Sequence, residues 1–531
     1  MSIKTLIEQP GRLPPVLLLL NKMAIRARKV DQPRNEERIR ALKRGRNKPV
    51  DTNADEPISA RTAVCVFLFV CLVCGFLDYR RVKSRAVVDT MRSSLRTGGM
   101  LDKPKPHEVV VAINSLLTPE EDVALEMHSD GTRYHLIFST DCSPYQHWQS
   151  YLVYFTAMRV KQPGHVTRIA SGCSADEEKA MKQWFNTHIQ GLSNRFHLHL
   201  TPYFSGVKND SGETVGNYKF FNKPFGLKHW MEHAEHFSLS QSDDIVILID
   251  PDMALLRPIT GDFSQSKEVV FGKGRKGHEL GTKVAHGLPF AQAYGMGTQW
   301  EKFDLDKIAG VDSPAKKVNQ NDGFYFFPAG PPYLATSKDM YAIAQKWTEF
   351  VPRVHAQYPH LLAEMFAFCI AAAHLELKHQ LIDSLMISEK NAGGEGWPLI
   401  DLIPPEEMCV FAANLDHSKY ALPNVVHMCH GYVVGDEWIF GKHRVPTDIY
   451  ACDKPLLAVP PADLATRFTY QKFPDQKDKV DLSPMLINRE AFMVCSLLSV
   501  LNDAASYYKT NACPVGTANL EKSLKLVNVH K

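Results

Sequence analysis

Two aspartates one residue apart, Asp250 and Asp252, close the segment Asp244-Ile-Val-Ile-Leu-Ile-Asp-Pro-Asp252. Hard carboxylate oxygens at that spacing suit Mg²⁺ or Mn²⁺, and a divalent ion held there can carry a diphosphate. Further along, Glu364 is the sole acidic residue in Leu361-Leu-Ala-Glu-Met-Phe-Ala-Phe-Cys-Ile-Ala-Ala-Ala373. A carboxylate inside so apolar a helix is paired, exposed on one edge, or functional. Asp322 stands in Asn321-Asp-Gly-Phe-Tyr-Phe-Phe327, which reads as a turn followed by a strand, with Gly323 making a turn aspartate comfortable. His427 and His430 lie in Val425-Val-His-Met-Cys-His430, an apolar strand running into a polar loop. Either imidazole can complete a metal site or sit in the core as a structural histidine. Plain surface loops also produce Asp-x-Asp, so the elements around it decide its meaning.

Those elements alternate. Tyr134 to Thr140 reads as a strand, and Tyr145 to Lys161 as a helix with Trp148, Tyr151, Leu152 and Phe155 on one face. Val166 to Ala170 is a second strand, and Ser174-Ala-Asp-Glu177 a capping box that opens the next helix. Phe196 to Leu200 is a third strand, Lys223 to Glu235 a helix, and the unbroken Ile245 to Ile249 run a strand buried on both faces. Such alternation predicts crossover units and a mostly parallel α/β sheet. In open sheets of that kind, ligands bind beyond the C-terminal ends of the strands, where Asp250 and Asp252 fall.

A strand–helix alternation ending in Asp-x-Asp is the plan of the GT-A type of nucleotide-sugar transferase. Several ordered blocks sharpen that reading. They are Tyr145-Gln-His-Trp-Gln149, Val166-Thr-Arg-Ile169, Asn222-Lys-Pro-Phe-Gly-Leu-Lys-His-Trp230, Ile249-Asp-Pro-Asp-Met253, Leu362-Ala-Glu-Met-Phe-Ala-Phe368, Val426-His-Met-Cys-His-Gly431 and Trp438-Ile-Phe-Gly-Lys442. Over roughly residues 134–445 the chain resembles the plant and algal hydroxyproline O-arabinosyltransferases, and is similar to the related peptidyl serine galactosyltransferases. The family commonly has Glu at the first acidic position, where Asp250 keeps the carboxylate. Segments 271–300 and 389–424 match nothing in the family and are expected to be loops that set acceptor specificity.

The resemblance implies a metal-dependent transferase acting on hydroxyproline or serine hydroxyls, with a UDP-sugar donor. Its metal set is expected to be Asp250, Asp252 and, as the family favours, His427, holding Mn²⁺ or Mg²⁺. Thr140 and Asp141, ending the first strand, are placed to meet uridine and ribose. Arg168 and Lys223 can approach the diphosphate, although each also reads as a surface charge or structural ion pair. For proton transfer from the acceptor the choices are Glu364 and Asp322; in a retaining mechanism neither acts as base. Gly272-Lys-Gly-Arg-Lys-Gly277 lacks the phosphate-loop pattern and reads as a mobile basic loop.

The chain of 531 residues has 44% hydrophobic and 22% charged residues and a net charge of +3. That balance predicts no nucleic-acid partner. The basic excess is local: residues 1–61 hold 14 Lys/Arg against 7 Asp/Glu. They read as a cytosolic tail before the uncharged run Thr62 to Leu77. Residues 62–79 are thus expected to be a transmembrane signal anchor, 80–128 a stem, 129–455 the GT-A-like catalytic domain, and 456–531 an extension with one amphipathic helix. With the more basic side cytosolic, the protein is expected to be a single-pass type II protein of the Golgi or ER membrane. Its luminal part would act on secreted or cell-surface proteins. Eight cysteines downstream of the anchor permit disulfides, and Asn209-Asp-Ser211 is a glycosylation sequon.

The leading expectation is arabinose transfer to hydroxyproline, with galactose transfer to serine as the sister activity. A silent glycan-binding protein of the same fold and a luminal metal-dependent hydrolase are the rivals from other classes. The intact Asp250, Asp252 and Glu364 argue against the first, and the lack of a larger histidine set near them against the second.

Overall fold

The run Ile245–Ile249 is the central strand of a seven-stranded sheet, and all five side chains are buried. The computed structural model describes residues 118–209, 211–264, 267–271 and 280–526. The expected tail, the anchor, most of the stem and the basic loop at 272–277 lie outside the described residues.

The first half of the chain builds one wing of the sheet. It runs α1 (Pro119–Ala124), β1 (Tyr134–Thr140), α2 (Tyr145–Arg159), β2 (His165–Ser171), α3 (Ala175–His188) and β3 (Phe196–Thr201). A hairpin, β4 (Gly206–Lys208) and β5 (Thr214–Asn217), precedes α4 (Asn222–His233), β6 (Ile245–Ile249) and β7 (Met253–Leu255). The second half supplies β8 (Phe290–Ala293), α5 (Gln320–Phe326), β9 (Ala329–Thr336), α6 (Ser337–Gln357), α7 (Ala363–His374), β10 (Gln380–Ile382) and β11 (Met386–Ile387). Then come α8 (Met408–Asn414), β12 (Val425–His427), β13 (Tyr432–Val434), β14 (Trp438–Phe440) and the long α9 (Pro484–Ala512).

The strand order is β10-β8-β9-β6-β1-β2-β3, parallel except for β9, which is antiparallel to both neighbours. This is the mostly parallel α/β sheet expected. The capping box forms as read: Ser174 accepts from the Glu177 amide and Glu177 reaches back to Ser174. Residues 321–327 differ from expectation. Asn319 caps the Asp322 amide at 2.9 Å and starts the short helix α5, so the strand begins only at Ala329. The Gly-aromatic run imitates a turn and strand, but the asparagine cap supplies the first-turn hydrogen bond that makes it helical.

Helix α9 is long and apolar enough to cross a membrane, yet most of it is buried within the protein, in the same core as α2, β13 and α8. Among the described residues three disulfides form, Cys142–Cys173, Cys409–Cys495 and Cys452–Cys513, leaving Cys369 buried and Cys429 exposed without a partner cysteine. The first clamps together the loops that follow β1 and β2. At the N-terminal side, Asp122 of α1 accepts from Arg195 Nε at 2.9 Å and Ser193 Oγ at 2.6 Å, so residues expected in the stem pack on the domain.

Between the sheet and the α4 end, a cluster of imidazoles packs with Trp230 and Phe237. His165 Nδ1 lies 2.9 Å from His197 Nε2, the rings of His197 and His236 stack at 3.8 Å, and Thr167 Oγ1 contacts His236 Nε2 at 2.8 Å. Burial, reinforced by neighbouring histidines, pushes His165 down to about 3, His197 to about 4 and His236 to about 2. In the unfolded chain these rings titrate near 6.5, so on acidification the unfolded state takes up protons first. Their stabilising effect is complete above that pH and is lost progressively as pH falls towards 4. The melting temperature should therefore drop clearly between pH 7.5 and pH 5, with a shallower drop in a His165→Gln/His236→Gln variant. An identical pH slope in both proteins would contradict this assignment.

Candidate functional site

Backbone register brings together residues 175 positions apart. Beyond β6 the chain turns through Asp250 and Asp252 into β7, whose Met253 pairs with His427 on antiparallel β12. The Met428 amide donates to the Asp252 carbonyl at 2.9 Å, closing the ladder at the site. His427 Nε2 consequently sits 3.2 Å from Asp252 Oδ1 and 3.9 Å from Asp250 Oδ2. One ligand atom from each of Asp250, Asp252 and His427 falls within 4.8 Å of the others, the only such group among the described residues. Two hard oxygens and one imidazole fit Mn²⁺ well and also fit Mg²⁺. His430 is exposed in the following turn, with Nδ1 3.9 Å from Glu389, and stays outside the group.

Two lysines balance the carboxylates. Lys223, in the first turn of α4, lies 2.7 Å from Asp250 Oδ1 and 2.8 Å from Glu364 Oε1. Lys442, following β14, lies 2.5 Å from Asp252 Oδ2. Burial opposes charge on Asp252, but His427 and Lys442 outweigh it and hold its pKa far below the usual range. Burial likewise works against a charged Lys223, and Asp250 with Glu364 reverse that and keep it protonated.

Glu364 is 2% exposed and sits in the first turn of α7, where the helix dipole favours a negative charge. Its backbone is pinned from both sides: the carbonyl accepts from Trp347 Nε1 at 2.8 Å, and the amide donates to Tyr218 Oη at 3.2 Å. Burial raises its pKa, Lys223 partly offsets the rise, and Asp250 adds to it. Oε1 has no well-aligned donor despite its closeness to Lys223. One ammonium thus joins the candidate metal group to a buried carboxylate that can accept a proton.

The other expected residues are placed differently. Thr140 and Asp141 end β1 on the opposite side of β6 from β9. Thr140 Oγ1 donates to the Ile169 carbonyl at 3.3 Å and accepts from Arg168 Nε at 2.9 Å. Asp141 Oδ1 accepts from the Ser143 amide at 2.9 Å and from its hydroxyl at 2.6 Å. The Arg168 side chain is fully enclosed, 5.6 Å above the Trp184 ring, and burial lowers its pKa to about 10. It holds Thr140 in place and touches the Asp141 carbonyl at 3.4 Å. Asp322 is half-buried in the first turn of α5, 2.8 Å from Lys378. No contact links it to the Asp250 group.

Sequence reading missed two residues here. Lys442 closes the Trp438–Lys442 block, so the block itself carried the signal. Tyr294, just past β8, gave none: its hydroxyl lies 3.5 Å from His427 Nδ1, behind the ring that faces the carboxylates. A Cβ on Gly330 would come within 2.0 Å of the Tyr294 ring, so the absence of a side chain lets that ring lie on the β9 backbone. Beside it opens a cavity of about 430 Å³, lined by Tyr294, Gly297, Phe324, Met386, Gly394 and Glu395. Glu395 shapes its wall by accepting from Ser388 Oγ at 2.6 Å and the Glu389 amide at 3.1 Å. Tyr294, Gly297, Gly394 and Glu395 come from the two segments that matched no family block, whereas Phe324 and Met386 lie outside them.

No family model matches the chain. Over 269 residues it is 24% identical to a peptidyl serine alpha-galactosyltransferase of Arabidopsis thaliana, covering 48% of this chain and 28% of that protein. The chain thus spans little more than a quarter of that relative's length. Among solved structures, the WbbM bifunctional glycosyltransferase in its apo form aligns over 56% of this chain and 46% of its own, at 10% identity and a TM-score of 0.29. At that score the likeness carries no weight.

Removing the ammonium that Asp250 and Glu364 share leaves the buried Glu364 without its counterion and half-buried Asp250 with only His427 nearby. Lys223→Met should destabilise the fold by about 3–5 kcal/mol in urea denaturation. A change below about 1 kcal/mol would show that the carboxylates are already compensated elsewhere.

Proposed function

We propose that this chain is a metal-assisted glycosyltransferase that moves a sugar from a UDP-sugar to a hydroxyl of a protein acceptor, with galactose transfer to peptidyl serine as its reaction. The carboxylate–imidazole cluster Asp250, Asp252 and His427, coupled through Lys223 to Glu364, carries the proposal. Similarity to a peptidyl serine alpha-galactosyltransferase favours this reaction over arabinose transfer to hydroxyproline, which rests on the sequence blocks alone.

A divalent ion bound by Asp250, Asp252 and His427 would neutralise the diphosphate leaving group. Lys442, next to Asp252, adds positive charge where the leaving phosphate gains negative charge. Thr140 and Asp141, held by Arg168 and the Cys142–Cys173 clamp, form the nucleoside side of the site. The cavity beside Tyr294 lies on the far side of β6 and takes the acceptor peptide. Glu364 meets the acceptor hydroxyl. In an inverting reaction it removes the proton; an α-linked product from α-linked UDP-galactose retains configuration, and Glu364 then orients the hydroxyl. Asp322, paired with Lys378, has no part in this scheme.

The three disulfides suit an oxidising compartment, which supports the proposed luminal, Golgi-type location behind a type II anchor and a secreted or cell-surface acceptor.

The test incubates the full-length protein with Mn²⁺, UDP-galactose or UDP-arabinofuranose, and serine- or hydroxyproline-containing peptides, read by mass spectrometry. A hexose on serine is expected. A pentose on hydroxyproline would replace the proposed reaction with its sister, and no transfer to any peptide would sink the protein-acceptor reading. Glu364→Gln should lower turnover by about 10²-fold or more with donor affinity unchanged. Equal loss of donor binding would make Glu364 structural.

A further inference from the structure

A cluster of three imidazoles lies at the edge of the sheet, away from Asp250. Strand β3 reads Phe196-His-Leu-His-Leu-Thr201 and has only β2 beside it. Its alternation splits the side chains: Leu198 and Leu200 pack towards Met181 and Trp184 of α3, while His199 faces α4. There it meets His229, and one helical turn on, His233. The i, i+4 spacing sets these two imidazoles on one face of α4.

Two of these rings are already close to the geometry of a ligand pair. His199 Nε2 lies 2.9 Å from His229 Nδ1, with ring centroids 5.1 Å apart. The rings of His229 and His233 are 4.5 Å apart and inclined at 56°. In a neutral imidazole pair one nitrogen donates its proton to the other's lone pair. A metal ion replacing that proton binds both nitrogens at about 2.0–2.1 Å, which for tetrahedral ligands sets them about 3.3 Å apart. The pair has only to open by a few tenths of an ångström. His233, exposed at the helix end, stands outside the pair and would have to turn its side chain towards it to add a third nitrogen.

We propose that His199, His229 and His233 form a second metal site, selective for zinc-type ions, that fastens the last turn of α4 to the edge strand.

Burial and the neighbouring rings push His199 down to about 4 and lower His229 as well, so both lone pairs are available at neutral pH. The nearest carboxylate on this face, Glu232, is committed to Lys228 at 3.2 Å and to the Tyr341 hydroxyl at 2.8 Å. The ligands are therefore all imidazole, with water completing the set. Such donors select Zn²⁺, Ni²⁺ or Cu²⁺ over Mg²⁺, whereas the oxygen-rich Asp250 group takes hard ions. The helix it fastens carries Lys223 at its other end, so the ion would steady the element that holds Asp250 and Glu364.

The probe is Zn²⁺ itself, added to the full-length protein at pH 7.5 in excess Mg²⁺ and read by calorimetry and thermal melting. One equivalent should bind and raise the melting temperature by several degrees, reversibly with chelator. The rise should vanish in His229→Gln and in His233→Gln, whose exposed position spares the fold. It should persist in Asp252→Asn. No zinc-dependent rise in the wild-type protein, or an unchanged rise in His233→Gln, would overturn the proposal. Loss of the rise in Asp252→Asn would assign the zinc to the Asp250 group and overturn it equally.

Discussion

Negative charge gathered beyond the central strand must be compensated without water, and much of the structure answers that need. Asp252 is 7% exposed and Glu364 2%. A buried carboxylate is stable only with a counterion and hydrogen bonds. Lys223, Lys442 and His427 supply the positive charge, each delivered by a different element: the start of α4, the turn after β14 and the end of β12. Placing three cations there requires that the helix, the turn and the strand all end at one point. The main sheet delivers only the aspartates, at the end of β6; the small β11-β12-β7 sheet brings His427 to them and the β13-β14 hairpin brings Lys442. A divalent ion bound there would compete with the lysines for the same oxygens, so its binding and lysine release would belong to one equilibrium.

The two wings of the sheet divide the labour around that point. On one side the ends of β1 and β2 are stapled by Cys142–Cys173 and stiffened by enclosed Arg168. On the other, antiparallel β9 interrupts the parallel order, and Gly330 admits the Tyr294 ring against it. That ring backs His427 and walls the cavity at once, so the two are mechanically linked. Helix α9 secures the outer layer: Arg489 bonds Asp401 at 2.8 Å, and Glu490 accepts from the Val433 amide at 3.0 Å. It thereby braces both the cavity loop and the strand after His427.

How much of this was legible in the sequence varies by element. Strands β1, β2, β3 and β6 were plain, because apolar runs and period-two alternation survive any tertiary context. The position of Asp250 and Asp252 followed from the strand they end. His427 needed the family resemblance, since nothing local says that β12 will pair with β7. Lys442 stood in a matching block; like Tyr294, which gave no signal at all, it has a role that depends on long-range register rather than neighbours in sequence. Strands β8 and β10 are only four and three residues long, too short for periodicity to register. Asp322 misled because its glycine and aromatic neighbours resemble a turn and strand, while the decisive residue, Asn319, lies three positions upstream.

The central claim is that Asp250, Asp252 and His427 bind a divalent cation that carries the nucleotide diphosphate. Anomalous diffraction at the manganese edge, from crystals grown with Mn²⁺ and UDP, tests it most directly. The account predicts one strong peak within about 2.0–2.3 Å of both carboxylates and His427 Nε2, with UDP phosphate oxygens completing the shell. UDP bound with no anomalous peak there, and Lys223 and Lys442 still on the aspartates, would contradict it.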